Sequence, residues 1–221
     1  MAERPVFVPG GLAGGPLVRV VPVAFTWSAG FAVVQKKKNV RALHEAARHA
    51  GLSPLLEVST KSDDELGQSL SAFNLRIRVD EAGGGVPLEC AFQGSKVFEG
   101  GGPYQDIYRV DPREAKRDVR LRSSGAVVGF RFLGQDFPVV PRTGFYDWLY
   151  LQAVLGRRER LDALNEYAGF TDIEFNPARS INCQARTCAV LATLRARGQL
   201  DECAGSVGRF LELLRQEAKY T

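Results

Sequence analysis

The sequence predicts a helix-rich α+β domain with a small β component, and three observations carry that expectation. Alternation with a period of two is confined to short stretches at 18–27, 73–79 and 128–132. Helical periodicity occupies longer stretches at 40–50, 147–164, 182–197 and 205–218. The regular strand–helix–strand alternation of a doubly wound parallel sheet is absent.

Residues 1–16 contain Pro5, Pro9, Pro16 and four glycines, the composition of a loop or frayed terminus. From Val18 to Trp27 the pattern is strand-like, with Val21, Val23, Phe25 and Trp27 in register after Pro22. Asn39 is placed to cap a helix over 40–50 in which Val40, Leu43 and Ala47 share a face, and Gly51 stops it. Phe73, Leu75, Ile77 and Val79 alternate with Asn74, Arg76 and Arg78 as a half-buried strand. Gly83-Gly84-Gly85 then reads as a turn, and Pro87 opens a helix over 88–98. A polar helix is expected over 112–123. Val128, Phe130 and Phe132 form a strand answered by Phe137–Val140. Asp147–Leu164 is helical, with Trp148, Leu151 and Leu155 on one stripe, and two more helices follow at about 182–197 and 205–218. Residues 1–54 are expected as an N-terminal extension packed on a main domain of residues 55–221.

Composition excludes several classes. With 221 residues, 45% hydrophobic and 24% charged, the chain matches an ordinary globular protein and not a disordered or fibrous one. The longest apolar runs, such as Leu17–Trp27, are broken by Arg19 and Pro22 and fall short of the roughly 18–20 residues of a membrane span. Met1-Ala2-Glu3-Arg4-Pro5 does not read as a signal peptide, so a cytoplasmic protein without a membrane partner is expected. Cys90, Cys183, Cys188 and Cys203 form no CxxC pair and are read as reduced thiols. The two histidines, His44 and His49, lie in an apparent surface helix away from any cysteine, so neither a metal site nor a histidine-based catalytic triad is expected. No cofactor is implied.

Two constellations carry chemistry. In Pro87–Phe98, a helix would place Glu89, Gln93 and Lys96 one above another, with Glu89 and Lys96 about 10 Å apart at 1.5 Å per residue. That arrangement is either a solvated polar face or a carboxylate and an amine converging on one substrate, and the apolar neighbours Ala91, Phe92 and Phe98 favour a cleft. The second, Gly169–Arg186, gathers Asp172, Glu174, Asn176, Arg179, Asn182, Gln184 and Arg186 in a non-periodic stretch ahead of an apolar helix. It also reads as a capping arrangement with Ser180 or Asn182 as cap. The glycine-rich Glu99–Pro103 lacks the Lys-Ser/Thr of a P-loop and reads as a turn. Basic residues cluster at Lys36, Lys37 and Lys38, at Arg113–Arg122, and at Arg157, Arg158 and Arg160. Each cluster alone is a solvated face, but aromatic residues nearby keep a nucleic-acid partner open.

The order of these motifs resembles the NADAR superfamily. The polar run Glu57–Ser71 leading to Phe73, then Glu89, Gln93 and Lys96, is similar to that family's Ser-Asn-Phe followed by Glu-His-x-x-Gln-x-x-Lys-Phe. Asp147-Trp148, Asp172-Ile-Glu-Phe175 and Ile181-Asn182 are similar to its later motifs, and Ala72, Cys90 and Phe175 depart from the family's Asn, His and Trp. The whole pattern looks most like the NADAR antitoxins paired with DarT-type DNA ADP-ribosyltransferase toxins. The resemblance implies an N-glycosidase that removes ADP-ribose from guanine bases in DNA, with ADP-ribosylated DNA as substrate, ADP-ribose as product, and the cognate toxin as functional partner. It implies catalytic roles for Glu89, Lys96 and Asp172 and substrate binding by Ser71, Phe73, Asn74, Gln93, Trp148, Phe175, Arg179 and Asn182. Lys36, Lys37 and Lys38 are expected to contact nucleic acid, and Arg186 shares with Arg179 a possible role at the pyrophosphate. A carboxylate can stabilise an oxocarbenium-like state and a carboxylic acid can protonate the leaving amine, while a desolvated Lys96 could instead form a Schiff base; the residues admit both routes. Two other readings compete: an N-glycosidase of small ribosylamines of the riboflavin pathway, and a non-catalytic module that binds nucleic acid or masks a toxin.

Overall fold

A computed structural model describes residues 1–12, 14–79 and 84–217. The first residues are not a loop. Ala2–Pro9 is strand β1, paired antiparallel with β2 (Val18–Phe25), and the register sets Pro5 opposite Pro22. Putting both prolines on one cross-strand pair confines their missing donors to a single rung, and β2 is a sheet edge, where such a gap is tolerated. The gain is burial of Val6, Phe7 and Val8.

Helix α1 (Val33–His49) starts before Asn39, which lies inside it and does not cap it. Asn39 is fully buried, accepting from the Ser28 amide at 2.7 Å and donating to the Ser28 carbonyl at 2.9 Å, so it fastens the loop ahead of the helix. Gly51, at φ +79°, ends the helical turn as expected. Strand β3 (Leu55–Glu57) and helix α2 (Glu65–Ser69) follow.

The alternation at 73–79 is real, with Leu75 and Ile77 buried between exposed Asn74 and Arg76, but the strand is only β4 (Arg76–Ile77). It pairs with β5 (Val86–Pro87); of the expected glycine turn, Gly83 lies outside the described residues. Helix α3 (Leu88–Gly94) is shorter than expected and gives way to strand β6 (Lys96–Phe98). A Cβ on Gly94 would fall 2.6 Å from the Tyr108 ring, so the chain runs closer to its neighbour there than a side chain allows. A 3-10 turn (Gln105–Arg109) leads to two single turns, α4 (Pro112–Ala115) and α5 (Arg120–Ser123), in place of one polar helix.

Strand β7 (Val127–Phe132) pairs with β6 through a register slip that leaves Val128 bulged and exposed while Phe130 and Phe132 are buried. Its return strand β8 (Gln135–Phe137) lies earlier than expected, because Leu133 and Gly134, both at positive φ, close a two-residue hairpin. The helix expected over 147–164 is two: α6 (Gly144–Leu155) and α7 (Arg158–Ala163). After β9 (Gly169–Thr171) come α8 (Gln184–Ala196), α9 (Leu200–Gly205) and α10 (Val207–Glu217).

The result is an α+β domain. Its main sheet has the order β2-β1-β9-β3, with β9 and β3 parallel, and a second sheet runs β6-β7-β8. Helix α8 is buried almost all round, from Thr187 to Leu194, which accounts for its lack of a polar stripe. The C-terminal helix is tied to the first hairpin by Glu217, whose buried carboxylate accepts from the amides of Leu17 and Val18. No helix among the described residues is long and apolar enough to cross a membrane.

Phe145 joins the second sheet to the helices: its ring lies 4.6 Å from Phe130, 4.8 Å from Phe137 and 6.1 Å from Phe92. Phe145→Ala is expected to lower stability by about 3–5 kcal/mol, the usual loss for a truncated core phenylalanine, as measured by denaturant unfolding.

Candidate active site

A cleft of about 960 Å³ lies at the upper end of the roughly 300–1,000 Å³ typical of small-molecule sites. It is built where the turn after α2 (Ser71, Phe73, Asn74), helix α3 (Glu89, Gln93) and the loop after β9 (Asp172, Phe175, Arg179, Asn182) converge. Lys36 reaches it from α1, and Arg113, Lys116 and Arg117 reach it from α4 and the turn that follows. Seven basic and four acidic side chains line it, so the cleft favours an anion.

Glu89 is buried in the first turn of α3, and Gln93, one turn on, donates its amide to Oε1 at 2.8 Å. Lys116 Nζ stands 3.9 Å from the same oxygen and 5.5 Å from the Phe73 ring centre. Lys96 is not on the helical face, because α3 ends at Gly94. Its half-buried amine donates to Gln93 Oε1 at 2.6 Å and lies 4.9 Å from the Phe92 ring centre, outside the lining of the cleft. Burial lowers its pKa, opposed by the Glu89 charge.

Asp172 follows the last residue of β9. Its Oδ1 accepts from the Glu174 amide at 3.0 Å and its Oδ2 from Gln184 Nε2 at 3.1 Å. Gln184 in turn accepts from the Ala72 amide at 2.8 Å, locking the two walls together. Burial pushes the Asp172 carboxyl up from its ordinary value to about 6, and the charge of Glu174 adds to the rise. Each of the two acids is thus oriented by a glutamine amide.

Several expected roles fall elsewhere. Trp148 packs against Phe137 and Phe132 at 4.8 and 6.3 Å between ring centres and does not line the cleft. Arg186 pairs with buried Asp147 at 3.1 Å, joining α8 to α6, so it is occupied structurally. Lys37 is held by Asp63 at 3.0 Å, and neither it nor Lys38 lines the cleft. Neither Ser180 nor Asn182 caps α8: the cap is Cys183, without a side-chain bond. Asn182 instead leaves Oδ1 buried in the cleft wall with no donor among the described residues.

Sequence reasoning missed Ser59, Lys61, Tyr146 and the rim residue Arg4 as cleft residues. It read the run Arg113–Arg122 as one face, although Asp111 and Pro112 mark where α4 begins and turn Arg113 and Lys116 inward. The carboxyl carbon of Asp172, followed by NMR, is expected to titrate above the ordinary aspartate range. Gln184→Leu should raise that midpoint further, since it removes a donor that favours the charged form.

The family model described as DarT1-associated NADAR antitoxin matches residues 2–221. No curated protein matches the sequence. With the match running through β1, α1 and every wall of the cleft, the chain belongs to the family of DarT1-associated NADAR antitoxins.

Proposed function

We propose that the chain is an ADP-ribosyl glycohydrolase that removes ADP-ribose from guanine bases in DNA and so reverses the modification made by a DarT-type toxin. The observation that carries this reading is a pair of carboxyl groups, Glu89 and Asp172, each held by a glutamine, in a cleft with an excess of positive charge. Hydrolysis of the bond between the ribose C1 and the guanine nitrogen requires a proton for the leaving amine, a carboxylate near the oxocarbenium-like carbon, and a water. Asp172, raised toward neutrality, is suited to give the proton. Glu89 is suited to stabilise the developing charge and to take the proton of the attacking water. The water oxygen bonds C1 as the C–N bond breaks, the amine leaves with the proton of Asp172, and each carboxyl ends in the other's starting state.

Lys96 supports the carboxylate route. Its amine is spent on Gln93 and does not line the cleft, so it steadies the glutamine that orients Glu89 and is poorly placed to attack a ribose. Arg113, Arg117 and Arg179 offer the pyrophosphate its partners, Phe73 and Phe175 offer rings for a base, and Asn182 Oδ1 offers an acceptor still free.

The test is release of free ADP-ribose, resolved by chromatography, from an oligonucleotide carrying ADP-ribosylguanine. Wild-type protein should release it, and Glu89→Gln and Asp172→Asn should each slow release by about 100-fold or more. Intact modified oligonucleotide after incubation with folded wild-type protein would overturn the reading. In the same assay Lys36→Ala and Arg113→Ala should raise KM, leave kcat within about twofold, and flatten the dependence of KM on salt. A KM indifferent to both changes, with turnover of free ribosylamines, would point to a small-molecule N-glycosidase.

A further inference from the structure

Glu57, the last residue of β3, is a buried carboxyl that takes no part in the cleft. It borders a smaller cavity of about 400 Å³ between α1 and β3. A carboxyl at a buried strand position is costly unless it is fully hydrogen-bonded, and an apolar side chain would fill the same place without that demand. Glu57 is fully engaged. Its Oε2 accepts from the Thr171 hydroxyl at 2.7 Å, and its Oε1 accepts from the Ile173 amide at 2.9 Å and the Ser59 hydroxyl at 2.6 Å.

Thr171 and Ile173 are the residues on either side of Asp172. One carboxyl therefore grips the chain before and after the side chain that enters the cleft. The grip is itself anchored. His44 Nε2 on α1 lies 2.8 Å from Thr171 Oγ1, and Ser59 Oγ accepts from the Lys61 amide at 3.1 Å beside the cleft. Burial holds His44 down to about 4, so its ring is neutral and can either donate to the Thr171 hydroxyl or accept from it; burial pushes the Glu57 carboxyl up to about 8.

We propose that Glu57 is a positioning residue for Asp172, fixing the direction of that carboxyl from beneath the site; this rests on the reading of Asp172 as the acid of the glycohydrolase. Glutamine at position 57 can keep every contact. Its amide donates to Thr171 Oγ1, and the Thr171 hydroxyl donates to His44 Nε2 with the imidazole proton on Nδ1. Alanine keeps none, and Thr171→Val removes one arm of the grip without changing side-chain size.

The experiment measures kcat and KM per folded molecule for Glu57→Ala, Glu57→Gln and Thr171→Val, with ADP-ribosylated oligonucleotide. A displaced acid slows chemistry without weakening binding, so Glu57→Ala should lower kcat on the order of 10- to 100-fold while KM stays within about twofold. Glu57→Gln should recover most of the loss, and Thr171→Val, which also serves if the alanine variant does not fold, should fall between. Equal kcat in all folded variants, or a glutamine variant as impaired as alanine, overturns the proposal. A second readout needs no activity: the titration midpoint of the Asp172 carboxyl carbon. Glu57→Ala should drop it toward the ordinary aspartate value as the side chain gains solvent, and Glu57→Gln should move it less. An unmoved midpoint in Glu57→Ala overturns the positioning role. An inactive wild type whose Asp172 midpoint still responds overturns the proposed reaction alone.

Discussion

The parallel pairing of β3 with β9 is only three residues long, Leu55–Glu57 against Gly169–Thr171, yet the cleft exists because of it. The two strands are far apart in sequence, and joining them delivers Asp172 to the turn that carries Ser71, Ala72 and Phe73. So short a ladder needs support. The Val58 amide donates to the Thr171 carbonyl at 2.7 Å, and Glu57 bonds across to both Thr171 and Ile173. On the other side β1 covers β9, and Gly169 sits where a Cβ would press on Leu55, Val6 and the Phe7 carbonyl, all at 3.1 to 3.2 Å. Glycine there is what lets three strands close on one another.

The acids on the two walls are held by the same device in different surroundings. A glutamine amide donates one hydrogen bond to a carboxyl without bringing a full charge, so it fixes direction while leaving protonation to the environment. Glu89 has Lys116 across the cleft and Lys96 behind its glutamine. Asp172 has Glu174 close by, whose charge opposes its ionisation, and Glu57 beneath, whose own carboxyl is pushed up to about 8 by burial and by the charge of Asp172. The Glu89 and Asp172 carboxyls thus share one orienting device, and burial pushes that of Asp172 up.

Much of the scaffold was legible because it depends on local pattern. Helix α8 reads as an apolar helix, α10 as an amphipathic one, and Phe130 and Phe132 as strand residues. What escaped was set by contacts distant in sequence. Residues 1–16 look like a loop because proline and glycine are judged one at a time, whereas Pro5 and Pro22 share a rung that only the pairing creates. Helix α3 was expected to run past Gly94, and nothing local announces that Tyr108 lies against that glycine. Alternation at 73–79 reported burial correctly and pairing wrongly, since a half-buried extended segment needs no partner over its whole length. Within the site, Glu89, Gln93 and Asp172 were visible in motif order. Trp148 shared a stripe with Leu151 and Leu155, and that stripe already marked it as a core residue. Glu57 could not be found from spacing, because two of its three partners, Thr171 and Ile173, lie on β9 and just beyond it.

The fate of the basic clusters follows from what each cation rests on. In one cluster Lys37, together with Arg41 on the same helix, is neutralised by Asp63, while Lys36 lies 5.7 Å from the Trp27 ring centre, with Arg4 at 5.2 Å from the same ring. In another, Arg120 is held by Asp106 and Asp118, while Lys116 stands over Phe73. A carboxylate fixes a cation by cancelling its charge, whereas an aromatic face fixes it and leaves the charge in place. Three cations that rest on rings, Arg4, Lys36 and Lys116, line the cleft, whereas Lys96 over Phe92 and Arg120 over Tyr104 do not. Lys116 is held both ways, over the Phe73 ring and 3.9 Å from the Glu89 carboxylate, so the cleft keeps ion pairs of its own. Trp27 and Phe73 therefore serve the cleft by holding cations at its wall, two on the indole and one on the phenyl ring.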